Sequence, residues 1–207
     1  MLTATRSPYS ATQPETDRLR QQNHVLQTEV TNLRRAFNAL HSIQQVMDDI
    51  LGPEEVEVDV MDLVDTILDA ALASIEAKDG SLLLVDDDAD ELAFVVVHGD
   101  ARDRLQGHRI PISTGIAGWV ARNQEAVLVP NVNLDPRFSQ SVDRDFRFKT
   151  TSLLCAPVVR HGRLLGVIQG LNKENGKTFS EADLTLISVV AHQAAEAIHL
   201  VNTMDEA

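Results

Sequence analysis

Hydrophobic residues recur every seven positions near the start of the chain. Leu19, Leu26, Leu33, Leu40 and Met47 hold one position of the repeat; Asn23, Val30, Phe37, Gln44 and Leu51 hold the position four residues further on. Taken as d and a, these are the seam of a coiled-coil heptad, and an Asn at a single a position favours a parallel two-stranded register. Glu29 then falls at g and Arg34 at the following e, where opposite charges attract between chains. The alternative is one amphipathic helix packed on its own domain. Phe37 and Gln44 at a weaken the seam, so the coil is expected to be short and to merge into a helical bundle. Residues 1–15, rich in Ser, Thr and Pro and without periodicity, are expected to form a disordered tail. Residues 16–51 are assigned to a dimerisation helix and 52–207 to a single domain.

Gly52-Pro53 breaks the helix, and an acidic loop follows. Val60, Leu63, Val64, Ile67, Leu68, Ala71, Leu72 and Ile75 then share one face of a helix predicted over 59–77. Asp79-Gly80 reads as a turn. Ser81–Val85 and Leu92–His98 read as strands joined by the acidic turn 86–91. A third strand is expected over 107–113, a short helix capped by Ser113 or Thr114 through Asn123, and a brief strand at 127–129. Residues 130–150 form a long polar loop with a helical turn near 139–146; a loop of that length within a compact domain is usually functional or mobile. Strands over 151–159 and 164–171 flank a His161-Gly162 turn, and a last helix is expected from Ser180 to about Val201. This order is an α+β domain with an antiparallel sheet covered by helices.

Composition narrows the function. A net charge of −13 repels phosphate backbones and anionic lipid, so neither nucleic acid nor a membrane surface is an expected partner. No apolar run reaches the roughly 18 residues of a membrane span. No signal-peptide core follows the N-terminus, and the lone cysteine, Cys155, permits no intrachain disulfide. The expected location is the cytoplasm. No pair of the seven histidines has metal-ligand spacing, and Asp86-Asp87-Asp88 with Asp90 lacks the EF-hand pattern, so no metal is expected. Cys155 sits in an apolar run and reads as core. No Ser-His-Asp or Cys-His arrangement and no P-loop is present, and an enzyme is not expected.

Two motifs carry chemistry. Gly115-Ile116-Ala117-Gly118 opens a helix, whose first backbone N–H groups are unpaired and lie at the positive end of the dipole. Small residues there admit an anion such as phosphate at Ile116 and Ala117. They equally let the helix lie flat on a sheet. Ser180-Glu181-Ala182-Asp183 fits a capping box, with Phe179 and Leu184 as its hydrophobic staple. Asn172 and Lys173 end a strand and are placed to pair with Asp183 across the turn.

In order along the chain, Arg109-Ile110-Pro111-Ile112, Gly115-Ile116-Ala117-Gly118, Asp135-Pro136-Arg137-Phe138, Val142-Asp143, Leu153-Leu154-Cys155-Ala156-Pro157 and Gly166-Val167 resemble the GAF domains. The likeness is greatest to those of cyclic-nucleotide phosphodiesterases and bacterial adenylyl cyclases. The family's Asn-Lys…Phe-x-x-x-Asp-Glu signature is matched by Asn172, Lys173, Phe179 and Asp183, with Leu184 in place of the Glu. The resemblance implies a six-stranded antiparallel sheet with helices on both faces and a pocket on one of them. It implies cAMP or cGMP as a possible ligand, with its phosphate at Ile116 and Ala117. A lid around Asp143–Thr151 would cover it, with Thr150 or Thr151 near phosphate or ribose, and Ser81 and Gln169 would line the pocket. The stretch that holds the base in ligand-binding relatives reads Val97-His98-Gly99 here, which puts His98 at that place. Trp119, where relatives have His, is expected at the pocket mouth. Lys173–Asp183 would be a salt bridge bracing the lid.

Three functions compete. The first is a homodimeric sensor that binds a small anionic molecule and passes a shift through its terminal helices to a downstream signalling protein. The second is a dimerisation or protein-interaction module without a ligand. The third is an enzyme, since some GAF proteins reduce free methionine sulfoxide; that chemistry needs several cysteines, and Cys155 alone cannot resolve a sulfenate as a disulfide.

Overall fold

A computed structural model describes residues 13–50 and 60–204. Most of the expected tail, Leu51, the Gly52-Pro53 break, the acidic loop and the expected helix start at Asp59 lie outside the described residues. Helix α1 (Gln13–Ile50) is one continuous 38-residue element. Its Leu19, Leu26, Val30 and Phe37 are all exposed, Phe37 at 68%. The chain continues through α2 (Val60–Ile75), β1 (Ala77–Asp86), β2 (Glu91–His98), α3 (Arg102–Leu105), β3 (Arg109–Pro111), α4 (Gly115–Asn123), β4 (Val127–Val129), α5 (Ser141–Phe146), β5 (Leu153–Arg160), β6 (Arg163–Lys173) and α6 (Glu181–Met204). The strands form one antiparallel sheet in the order β3-β2-β1-β6-β5-β4.

Period-2 alternation divides the sheet's side chains between two cores. Leu82, Val96, Leu154 and Ile168 face α2 and α6 and join Leu68, Ile75, Ile187 and Ala194. Leu83, Phe94, Cys155 and Val167 face the other way and join Ile116, Val120 and Val132. The residues read as one face of α2 are those it buries, from Leu63 to Ile75.

Two expectations about the strands, at β1 and β3, are corrected. Asp79-Gly80 is strand, not turn: Asp79 pairs with Leu171 and Gly80 with Gly170 on β6. The reversal falls at Glu76, which takes a positive φ of 53°. Gly80 is small because a Cβ there would sit 2.4 Å from Leu72 of α2 and 2.8 Å from the Gln169 carbonyl. The strand expected over 107–113 shortens to three residues. Pro111 has no N–H to donate, and its carbonyl accepts from Thr114 in a turn. The short helix α3 was not expected; four residues are too few to show a period. The His161-Gly162 turn is present, with φ of 48° and 79°, the left-handed pair that a two-residue hairpin requires. The acidic turn 86–91 is braced by Arg109 on Asp86 and by Arg163 on Asp87, and the Arg109 hydrogen bond lowers the Asp86 pKa.

The start of α6 is built around one carboxylate. Asp183 accepts from the backbone N–H and the hydroxyl of Ser180, both at 2.8 Å, while its own N–H donates to Ser180 Oγ at 3.3 Å. This is the reciprocal capping box. Lys173 at the end of β6 completes the group with a salt bridge to the same Asp183 oxygen, and both side chains are buried. Its ammonium also lies 5.6 Å from the centre of the buried Phe179 ring. Asn172 does not join this pair, contrary to expectation; its left-handed φ of 55° turns it elsewhere. Because removing one partner strands a buried charge, Asp183→Ala is expected to lower unfolding stability by about 3–5 kcal/mol in urea denaturation.

Candidate functional site

On the sheet face opposite α2 and α6, a cavity of about 80 Å³ lies under α3, α4 and the segment that carries α5. Its floor is a polar cross-strand pair. Ser81 on β1 stands opposite Gln169 on β6. Ser81 Oγ donates to Gln169 Oε1 at 3.5 Å, and Gln169 Nε2 donates to Cys155 Sγ at 3.8 Å. These are long bonds for groups 2% and 9% exposed. The walls are apolar, with Phe94, Val97, Ile110, Phe138 and Phe148 among them.

Helix α4 points its first turn at the cavity, where Ile116 and Ala117 line it. Gly118 N–H makes the first intrahelical bond, 3.0 Å to the Thr114 carbonyl, so the N–H groups of Gly115, Ile116 and Ala117 precede that ladder. Thr114 is the N-cap residue, with no side-chain cap bond. The packing role of the small residues is present too: a Cβ on Gly118 would lie 2.4 Å from the Ile112 carbonyl oxygen. The close approach of α4 to the turn after β3 and the open helix end are thus features of the same sequence.

The segment expected to act as the lid is pinned by its own side chains. Asp143 on α5 accepts from Thr150 twice, from the backbone N–H and from Oγ1, each at 2.7 Å. Phe146 meets His108 edge-on with ring centroids 4.6 Å apart. Behind the lid, Asn172 Oδ1 accepts from the N–H and the hydroxyl of Thr151 at 2.8 and 2.9 Å, while its amide nitrogen donates to the Lys149 carbonyl and to Asp79. Further back, Arg137 grips Asp135 with two guanidinium bonds of 2.9 and 2.7 Å and lies 4.5 Å from the Trp119 ring centroid. That hydrogen-bonded pair lowers the Asp135 pKa and raises that of Arg137. Trp119 is therefore a platform for Arg137 and is not among the cavity-lining residues, contrary to the expectation that it narrows the mouth.

Of the residues singled out in the sequence, Ser81, His98, Ile116, Ala117, Asp143, Thr150 and Gln169 come together around this one cavity. Thr151 does not; it is exposed and committed to Asn172. Lys173 and Asp183 stand apart from it, where the end of β6 meets the start of α6. Asp79, also on the cavity wall, was missed because it read as a turn residue. Its carboxylate accepts from the Asp100 N–H and from Asn172, both at 3.3 Å. Among the described residues that line the cavity, the ionisable side chains are Asp79, His98 and Asp143. An anion here would be held by backbone N–H groups and not by a cationic side chain.

A family model for the GAF domain matches residues 59–198. The chain belongs to the GAF domain family. Its curated relatives include a probable 3′,5′-cyclic phosphodiesterase of Caenorhabditis elegans, 26% identical over 86% of this chain. Another is the dual 3′,5′-cyclic-AMP and -GMP phosphodiesterase 11 of Drosophila melanogaster, 38% identical over 48% of this chain. The matches span 25% and 7% of the lengths of those two relatives. Among solved structures, the GAF domain of a phosphoenolpyruvate-protein phosphotransferase from Coxiella burnetii superposes with a TM-score of 0.68 at 18% identity, covering 83% of this chain and 99% of that one. The free methionine-R-sulfoxide reductase of Neisseria meningitidis superposes with a TM-score of 0.64 at 18% identity, covering 82% and 93%. These two likenesses establish the GAF fold. No helix among the described residues is long and apolar enough to cross a membrane.

The buried Cys155 thiol in this GAF domain is pushed up to about 12 by burial, which outweighs the opposing hydrogen bond from Gln169. Well below pH 9 both folded and unfolded chains keep the proton. Above it the unfolded thiol ionises while the folded one does not, so stability falls as pH rises from there toward 12. At pH 8 the native protein is expected to leave 5,5′-dithiobis(2-nitrobenzoate) unreacted and to release its thiol only in denaturant; prompt reaction of the native protein would show the thiol to be accessible.

Proposed function

We propose that this GAF domain is a regulatory, homodimeric sensor whose cavity takes a small anionic ligand, with cAMP and cGMP as the first candidates. The observation that carries the reading is the convergence of Ser81, Gln169, the Asp143–Thr150 lid and the first turn of α4 around one cavity. The ligand's phosphate would meet the N–H groups at Ile116 and Ala117, its polar edge the Ser81–Gln169 floor, and its apolar faces the surrounding phenylalanines. The names of the phosphodiesterase relatives support a cyclic nucleotide. The α1 heptad supports dimerisation: Leu19, Leu26, Val30 and Phe37 present an apolar stripe that a second copy in parallel would cover. Signal would then leave through α1 and α6 to a downstream protein. The thiol chemistry of a methionine sulfoxide reductase finds no support here, because Cys155 is buried, held protonated and the chain's lone cysteine.

One observation favours the second reading, a dimerisation or interaction module without a ligand. A cavity of about 80 Å³ has room for on the order of six waters, so a nucleotide enters only if the pinned lid moves. Calorimetric titration with cAMP and cGMP decides between the readings. Binding with a Kd of about 10 μM or tighter, lost in a folded Ala117→Asp variant that places a carboxylate at the helix end, is the expected result. No heat with either nucleotide sinks the cyclic-nucleotide assignment and leaves an interaction module or a sensor of another molecule. The dimer is tested separately by sedimentation: the wild type is expected to run as a dimer and Leu26→Glu, which charges the seam, as a monomer.

A further inference from the structure

The cavity and the helices that would carry its signal lie on opposite faces of the sheet. The sheet between them is dry: Leu82, Val96, Leu154 and Ile168 are 0–3% exposed and pack under α2 and α6. A polar route runs round the end of β2. His98 closes that strand and lines the cavity, yet both of its ring nitrogens face α2. Nε2 is 3.1 Å from Asp65 Oδ1 and Nδ1 is 3.5 Å from Asp69 Oδ1. The turn after His98 leads into α3, whose Leu105, with the preceding Ala101, also lines the cavity. From that same helix Arg102 Nη2 reaches within 3.8 Å of the same Asp65 oxygen. Two separate pieces of cavity wall therefore bear on one carboxylate of α2, and Asp65 itself does not line the cavity.

We infer that Asp65 is where α2 reads the state of the cavity, with His98 as the positioning residue between them. The inference rests on the ligand-sensing reading above and gives that site its means of regulation. His98 serves by the position of its ring, since its nitrogens are committed to α2 and not offered to a ligand. A ligand that shifts the end of β2 or α3 changes the Asp65 contacts, and α2 responds. The Lys173–Asp183 pair secures the first turn of α6 and neither member touches the cavity, so that end of α6 stays capped while α2 moves. Linkage makes the coupling reciprocal: altering Asp65 must alter ligand affinity, although Asp65 makes no contact with the ligand.

The test uses Asp65→Asn in the full chain, which removes the charge and keeps the shape. Nucleotide affinity is measured by calorimetry with cAMP and cGMP, and the response of residues 61–75 by amide hydrogen exchange with and without nucleotide. Asp65→Asn is expected to shift Kd by about fivefold or more and to abolish the exchange response in α2. Asp69→Asn, whose side chain is 74% exposed, is expected to stay within about twofold. Should Asp65→Asn fail to fold, Arg102→Gln is expected to weaken the same response. An unchanged Kd with an intact α2 response in either folded variant overturns the coupling and leaves the ligand site standing. A wild type that binds neither nucleotide overturns the cyclic-nucleotide reading and, with it, the coupling that rests on that reading.

Discussion

The register between β1 and β6 is the constraint on which the rest of the molecule depends. These two strands are central in the sheet and buried on both faces. In the observed pairing Ser81 opposite Gln169 faces the cavity, and Leu82 opposite Ile168 faces the helices. A slip of one residue would turn one strand over relative to the other, placing the serine or the glutamine in the aliphatic core and a leucine or isoleucine on the cavity floor. Glycines fix this register further. A Cβ on Gly166 would come within 2.1 Å of the Leu83 carbonyl oxygen, and one on Gly170 within 2.6 Å of Ile75. The polar floor of the site and the dryness of the helical layer are thus two results of one pairing.

The elements legible in the sequence were those whose signal is local. The α2 face from Leu63 to Ile75 repeats at helical spacing, the His161-Gly162 turn suits the left-handed conformation, and Ser180 and Asp183 cap each other three residues apart. Residues whose reason is distant were misread. Asp79-Gly80 has the composition of a turn, but the approach of Leu72 requires Gly80 inside a strand, and the Asp79 carboxylate is used by Asp100 and Asn172. Asn172 looked like a partner for Asp183 by proximity; its backbone turns it to Lys149 and Thr151 instead. Within the candidate site, motif order along the chain led to the cavity residues, while the turn of Thr151 away from it depends on Asn172, twenty-one positions on.

Asn172 and Lys173 show how neighbouring residues serve two faces. Asn172 ties the end of the lid loop to β1 through Asp79, and Lys173 ties β6 to the first turn of α6. The lid has a second set of bonds at Asp143–Thr150 and a ring contact at Phe146–His108. With the lid so held, every strong acceptor named on the cavity wall has a protein donor. The helix-end N–H groups of α4 and the long bonds of Ser81 and Gln169 remain the weakest-paired groups on the cavity surface. They sit where a ligand with both an anionic and a hydrogen-bonding end would gain most.

A rigid, apolar sheet transmits little by bending, because close-packed interiors shift between discrete arrangements and do not deform continuously. If the cavity is a sensor site, as proposed, its signal would pass at the sheet's ends, where polar side chains reach around it. At the β6 end the route is a buried, fully bonded capping group, and breaking it costs about 3–5 kcal/mol. At the β2 end the route is His98 and Arg102 on Asp65, partly exposed contacts of 3.1 and 3.8 Å. Contacts of that kind are worth about 1 kcal/mol or less each. A ligand's differential affinity between two states is typically 1–3 kcal/mol, enough to rearrange the second route and too little to break the first. The proposed route therefore runs through the Asp65 contacts into α2, which packs against α1 and α6, while the capped first turn of α6 stays in place.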